Sequence, residues 1–223
     1  MEILIYKNII IFMKDIFLQG EGDNYFERNK SKDLASHDFI LDTLELKDEK
    51  VILEIGCSNG WRLNALYKKD NNRSYFGFDP SSKAIEDGIK NNPNLHLWVG
   101  TCDKIDMADK SCDIILVPFV FMYIQRDLLL KSVCEIDRIL KDNGRLVISD
   151  FYPNKPKPNK YKHIEGENYI FKQEYFKIFL STQNYYLDKL ISCIYHFNSS
   201  NNTNIYDDLC FYVELKKDLQ YIF

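Results

Sequence analysis

Two hydrophobic rhythms alternate along the middle of the chain. Short apolar runs at Val51–Ile55, Ser74–Phe78, Leu95–Val99, Cys112–Val117 and Arg145–Ser149 have the length and composition of buried strands. Between them, Trp61–Lys69, Ser82–Asn91 and Asp127–Leu140 follow the helical period. In the last of these, Leu129, Val133, Ile136 and Leu140 recur at spacings of four, three and four, which is one face of an amphipathic helix. Lys141-Asp-Asn-Gly144 is expected to close that helix with a C-terminal glycine turn. Strands alternating with helices predict a parallel, doubly wound α/β sheet.

The flanks follow other patterns. Phe17–Leu46 reads as mostly helical and carries a polar aromatic cluster, Gly20-Glu-Gly-Asp-Asn-Tyr-Phe-Glu-Arg-Asn29. After Asp150, three prolines (153, 156 and 158) and the lysines up to Lys162 predict a long irregular loop, followed by a helical piece at Gln173–Leu180. Leu187–Phe197 and Ile205–Leu215 then read as two strands joined by the turn-rich Asn198–Asn204, an antiparallel hairpin at the sheet's edge. The apolar Met1–Phe12 is too short and too interrupted to span a membrane and has no small-residue cleavage site. Met13 is an alternative start, and no function is assigned to this segment.

A length of 223 residues suits one good-sized domain, and 45% hydrophobic with 28% charged residues is ordinary for a globular chain. The net charge of −4 argues against nucleic-acid or anionic-membrane partners. Six cysteines, at 57, 102, 112, 134, 193 and 210, form no CxxC pair, so neither a disulfide framework nor a zinc site is expected, and a reducing cytoplasm fits them. Four dispersed histidines add no metal-ligand set.

The densest chemistry lies in Val51-Ile-Leu-Glu-Ile-Gly-Cys-Ser-Asn-Gly60. A buried strand running into a glycine turn and then a helix brings backbone N–H groups and the positive helix end to one point. Glycine there lets the backbone approach a ligand closely. The second strand finishes on Asp79, about 25 residues after Glu54, where an acid can accept hydrogen bonds from both hydroxyls of a ribose. The third strand leads into Gly100-Thr-Cys-Asp103, which can offer an acceptor to an adenine amino group. The fourth ends in the apolar Pro118-Phe-Val-Phe-Met-Tyr123.

In this order, over roughly Val51 to Asp150, the four stations resemble the class I S-adenosylmethionine-dependent methyltransferases. The resemblance implies a Rossmann-like, mostly parallel seven-stranded sheet with an antiparallel C-terminal hairpin, and S-adenosylmethionine as cofactor. It also implies that Gly56, Cys57 and Gly60 pack against the methionine portion, with Glu54 of the preceding strand and Ser58 of the turn also on the cofactor. Asp79, beside Pro80, binds the ribose; Thr101, Cys102 and Asp103 surround the adenine; Phe119 lies near the sulfonium. Ser58 departs from the family's common glycine and makes the turn less permissive. Two alternatives stand beside this reading: a non-catalytic binder of the same cofactor, and a nicotinamide-dependent oxidoreductase. The fingerprint of the latter, GxGxxG, is missing here.

For the acceptor, the Gly22–Asn29 cluster and the run from Ser149 through Tyr161, His163 and Lys172 to Tyr175 are similar to bacterial small-molecule methyltransferases of surface-polysaccharide pathways. Those include capsule, nonulosonic-acid and phosphoramidate modification. Residues 1–47 then form an N-terminal helical segment acting as a lid over a domain at 48–223, with an acceptor loop at 151–172. Tyr25 and Phe26 serve as apolar cover or as core anchors, and Arg28 pairs with the methionine carboxylate or stays solvated. His163 and Asp150 are the general-base candidates; Tyr152, Tyr161 and Lys172 are the acceptor-binding candidates. Asp207 and Asp208 rank below them. Lysines 155, 157, 160 and 162 would attract a phosphorylated or nucleotide-linked acceptor or form a solvated loop. The sequence leaves the acceptor atom and the oligomeric state open.

Overall fold

The computed structural model describes residues 16–32, 34, 38–153, 155–166, 168–194 and 209–219. The Met1–Phe12 segment, Asp207, Asp208 and the Asn198–Asn204 turn lie outside the described residues. A π-helical turn at Phe17–Glu21 leads into α1 (Gly22–Asn29), followed by the short α2 (Phe39–Thr43). Then come β1 (Val51–Ile55), α3 (Trp61–Lys69), β2 (Ser74–Asp79), α4 (Ser82–Asn91), β3 (His96–Val99) and β4 (Cys112–Pro118). The chain continues through a 3₁₀ turn at Phe121–Tyr123, α5 (Arg126–Ile139), β5 (Leu140–Phe151), β6 (Lys157–Lys160) and β7 (Tyr169–Lys172). It finishes with α6 (Phe176–Ser181), β8 (Tyr185–Ile194) and β9 (Leu209–Lys217).

Seven strands form one sheet in the order β3-β2-β1-β4-β5-β9-β8. Strands β1 to β5 pair in parallel, and β9 runs antiparallel between β5 and β8. The central strands are buried on both faces, which explains their unbroken apolar runs. Leu53, Ile115, Val117, Leu146 and Ile148 face one core, closed by Leu129, Val133 and Ile136 of α5. Ile52, Ile114, Leu116 and Val147 face the other, closed by Ile40, Leu41, Leu63, Leu66 and Ile85 of α2, α3 and α4. Strand order reverses between β1 and β4, so the carboxyl ends of the strands open a crevice there.

Two expectations are corrected. The segment after Asp150 is not simply an irregular loop: β6 and β7 pair antiparallel, Lys157 opposite Lys172 and Lys160 opposite Tyr169. Pro158 is tolerated because this two-stranded ribbon has an outer edge where no N–H is needed. Helix α5 does not end on a glycine turn either. It stops at Ile139, and Leu140 is already extended and paired with Cys112. The left-handed residue of the following turn is Asn143 (φ 63°), not Gly144.

Candidate functional site

A cavity of about 1060 Å³ occupies the crevice. Its floor is made by the carboxyl ends of β1, β2 and β4. Phe17, Tyr25 and Arg28 of the N-terminal segment and Tyr161, His163 and Lys172 of the β6–β7 region close it from above.

The turn after β1 has left-handed backbone at every second residue: Gly56 (φ 70°), Ser58 (φ 52°) and Gly60 (φ 75°). A Cβ on Gly56 would lie 2.5 Å from Val120 Cγ2, so glycine there is required by the β4 turn as well as by the dihedral. The N–H groups of Gly56 and Cys57 donate to Phe78 O at 2.9 and 3.0 Å, and that of Gly60 donates to Cys57 O at 2.9 Å. Ser58 N–H donates to Asp79 Oδ2 at 2.8 Å. The turn is therefore fastened to β2 and does not present these four N–H groups as the bare anion cradle that the sequence suggested.

Asp79 is the acid that β2 delivers to the cavity wall. Its Oδ1 accepts from Ser81 N–H at 2.9 Å and its Oδ2 from Ser58 N–H at 2.8 Å. A carboxylate has about four lone-pair sites, so each oxygen keeps capacity for one more donor. That is the capacity a pair of ribose hydroxyls needs. Burial pushes the Asp79 carboxyl up to about 6, against the two N–H donors.

Glu54 lies outside the wall, fully buried. It is paired with Arg62, whose Nε and Nη2 also fork onto Asp38 at 3.0 and 2.8 Å. Burial raises the Glu54 carboxyl to about 7, with Arg62 pulling the other way. Arg62 itself lines the cavity, its guanidinium 4.3 Å from the Trp61 ring centroid. Arg62 did not stand out in the sequence, because it is identified only by its partners, one of them before β1. Cys57 and Gly60 also lie outside the wall. Cys57 is buried near the Cα of Gly77, and Gly60 sits close to Leu95 and Leu97.

At the other end of the cavity, Thr101, Cys102 and Asp103 line the wall together, as Pro80 does beside Asp79. Asp103 is buried and its Oδ2 lies 3.3 Å from Lys131 Nζ. Burial pushes the Cys102 thiol up to about 12, which keeps it protonated. Phe119 has left-handed backbone (φ 54°), rare for a bulky residue, and its N–H donates to Ser149 O at 2.7 Å. Its ring meets Phe151 edge-on at 5.5 Å inside the wall.

The cover is tied together through Glu21, an acid that sequence reasoning missed. Glu21 is buried and accepts from Tyr161 OH at 2.6 Å and from Arg28 at 2.5 Å. Around it, Phe17, Tyr123 and Tyr161 form an aromatic cluster, with Phe17–Tyr123 centroids 5.2 Å apart and Tyr123–Tyr161 centroids 5.8 Å apart. Tyr25 meets Tyr123 edge-on at 6.4 Å, and Phe26 is buried. His163 is exposed at the rim, its ring edge-on to Tyr161 at 5.3 Å. Lys172 is buried in the wall with Nζ 3.5 Å from the Phe151 centroid. Asp150 and Tyr152 lie outside the wall. Asp150 is fully buried, accepts from Phe151 N–H at 2.8 Å, and is raised by burial to about 7. Tyr152 packs edge-on against Phe211 at 5.8 Å.

Residues 53–148 match the family of methyltransferase domains. Malonyl-[acyl-carrier protein] O-methyltransferase of Halalkalibacterium halodurans is 28% identical over 60% of this chain and 51% of its own length. A tRNA N(3)-cytidine methyltransferase of Danio rerio is 30% identical over 45% of this chain and 31% of its own. The chain thus spans about half or less of the length of these curated relatives. A solved S-adenosylmethionine-dependent methyltransferase of Methanosarcina mazei superposes with a TM-score of 0.63 at 16% identity, covering 82% of this chain and 99% of that one. The fold is the one that solved protein has. Residues 53–148 are therefore similar to methyltransferase domains, and the sheet built around them has the fold of that solved S-adenosylmethionine-dependent methyltransferase.

Proposed function

We propose that the protein transfers a methyl group from S-adenosylmethionine to a small anionic acceptor. The observation that carries this reading is the division of charge along the cavity wall. Among the described residues its acids are Asp79, at the end of β2, and Asp103, in the loop after β3, both on the cofactor side, where the cation Arg62 is already paired with Glu54 and Asp38. The cover contributes Arg28, Lys30, Lys32, Lys160, Lys162 and Lys172, drawn from two separate stretches of a chain whose net charge is −4. Such a wall attracts a phosphate- or carboxylate-bearing molecule. A cavity of about 1060 Å³ is at or above the ~300–1,000 Å³ usual for small-ligand sites. It has room for a nucleoside-sized cofactor and an acceptor together.

When bound, the cofactor supplies a methyl group already activated on a sulfonium. The chain's part is alignment, exclusion of water and, for a hydroxyl acceptor, removal of a proton. Asp79 receives the ribose hydroxyls, Thr101–Asp103 flank the base, and Phe119 with Phe151 walls the reacting centre. Arg28 reaches the cofactor's carboxylate only by sharing or leaving Glu21. His163, at the rim, takes the acceptor's proton; Asp150, outside the wall, acts on the acceptor only through another group. The segment before residue 48 serves as the lid, and the β6–β7 region shapes the acceptor pocket. Within the anionic class, the acceptor we carry forward from the sequence resemblance is a phosphorylated or nucleotide-linked precursor of a surface polysaccharide, O-methylated at a hydroxyl, with phosphoramidate-modified capsule as the specific case.

The test is formation of S-adenosylhomocysteine from S-adenosylmethionine with paired acceptors, each phosphorylated sugar beside its unphosphorylated parent. Turnover confined to the phosphorylated members supports the reading. Equal turnover of both would remove the anionic requirement. Cofactor binding with no turnover on any acceptor would favour a non-catalytic binding protein.

A further inference from the structure

The cover is fastened at a second place, away from Glu21. Asp23 of α1 reaches the first turn of α4. Its Oδ1 accepts from Ser81 Oγ at 2.7 Å and from Lys83 N–H at 3.0 Å, and its Oδ2 accepts from Ser82 Oγ at 3.4 Å. Ser81 is the N-cap of α4, its Oγ accepting from Ala84 N–H at 3.1 Å. The Ser81 N–H donates to Asp79 Oδ1 at 2.9 Å. One serine is thus held by two carboxylates, one from the cover and one from the ribose corner. The backbones approach closely here: a Cβ on Gly22 would lie 3.1 Å from Ser81 N and 3.3 Å from Ser81 Cα. Just upstream, Gly20 takes φ 129°, a bend that L side chains rarely adopt.

We propose that Ser81 is a positioning residue that links cofactor binding at Asp79 to docking of residues 17–32 through Asp23. The inference rests on the cofactor reading above. Hydroxyl donors arriving at Asp79 disperse a negative charge that otherwise repels Asp23 through their shared serine. They also hold fixed the serine that Asp23 grips. Binding therefore tightens the cover, and by reciprocity the docked cover slows cofactor release. Burial opposes the charge on Asp23, but the hydrogen bonds from Ser81 and Lys83 outweigh it and hold Asp23 below the usual carboxylate range, so it is charged at neutral pH. Tyr25, Phe26 and Arg28 all follow Asp23 on α1 and line the cavity, so its grip, together with that of Glu21, holds them there.

The experiment is amide hydrogen exchange of residues 17–32 with and without S-adenosylhomocysteine, paired with the ligand's dissociation rate by stopped flow. The wild type is expected to gain protection across 17–32 on binding. Asp23→Ala is expected to lose that gain and to release the ligand at least tenfold faster, with its unliganded thermal midpoint little changed. Asp23→Asn keeps one acceptor oxygen and should fall between. A dissociation rate and protection gain in Asp23→Ala equal to wild type would overturn the proposal. Failure of the wild type to bind S-adenosylhomocysteine would instead overturn the cofactor reading, and this inference with it.

Discussion

If Asp79 receives the cofactor's ribose as proposed, cofactor affinity depends on pH in a way that can be worked out in advance. Its carboxyl is raised to about 6 in the folded protein, and ribose hydroxyls donate to the charged form. If binding requires that form, the apparent dissociation constant is multiplied by one plus ten to the power (pKa minus pH). From a pKa of about 6, affinity should be roughly 1.1-fold weaker at pH 7 and roughly elevenfold weaker at pH 5 than at pH 8. Unfolding does not explain such a loss. Asp79 and Asp150, raised to about 6 and about 7, bind more protons folded than unfolded. Their contribution to stability therefore grows as pH falls from about 7 towards the unfolded carboxyl value of about 4. Calorimetric titration of S-adenosylhomocysteine from pH 5 to 8, on wild type and Asp79→Asn, reads the effect. The wild type should lose affinity with a limiting slope of one log unit per pH unit, and the variant should bind weakly with that slope gone. Flat wild-type affinity, or a variant binding as tightly as wild type, would refute the reasoning.

Four further outcomes follow from the packing of the site. Arg62→Leu strands the fully buried Glu54 and the forked Asp38 without their cation, and should cost about 3–5 kcal/mol in urea unfolding; a loss under about 1 kcal/mol would show that the triad carries little. Gly77→Ala would place a Cβ 2.8 Å from both Cys57 Sγ and Leu63 Cδ1, and should destabilise by about 1–3 kcal/mol while pushing the turn off β2, seen as weakened S-adenosylhomocysteine binding. Ser58→Gly removes a left-handed penalty of about 1–2 kcal/mol and adds a glycine entropy cost of about 0.5–1 kcal/mol, so stability should hold or rise slightly with cofactor affinity retained. Ser58→Val, β-branched at the same φ, should lower both.

The central sheet was legible because parallel strands buried on both faces must be apolar throughout, and α5 because only one of its faces is buried. The β6–β7 ribbon was hidden by Pro158 and its lysines, which argue for loop in any local window although a two-stranded ribbon accepts them. Asp79, Thr101 and Phe119 could be placed because strand ends fix their positions. Glu21 could not, since its partner Tyr161 lies 140 residues away and only the folded cover brings them together. Arg62 was missed for the same reason: a guanidinium at the start of a helix looks solvent-exposed until Glu54 and Asp38 close on it. Glu54 and Asp150 show the converse, acids at strand positions that suggest chemistry but are buried outside the wall.

The central claim is that the crevice at Asp79 takes S-adenosylmethionine, and one titration tests it. Calorimetry with S-adenosylhomocysteine and, separately, with a nicotinamide dinucleotide should give a saturable one-to-one isotherm for the first and no heat for the second. No binding of S-adenosylhomocysteine, together with saturable binding of the nicotinamide dinucleotide, would contradict the account.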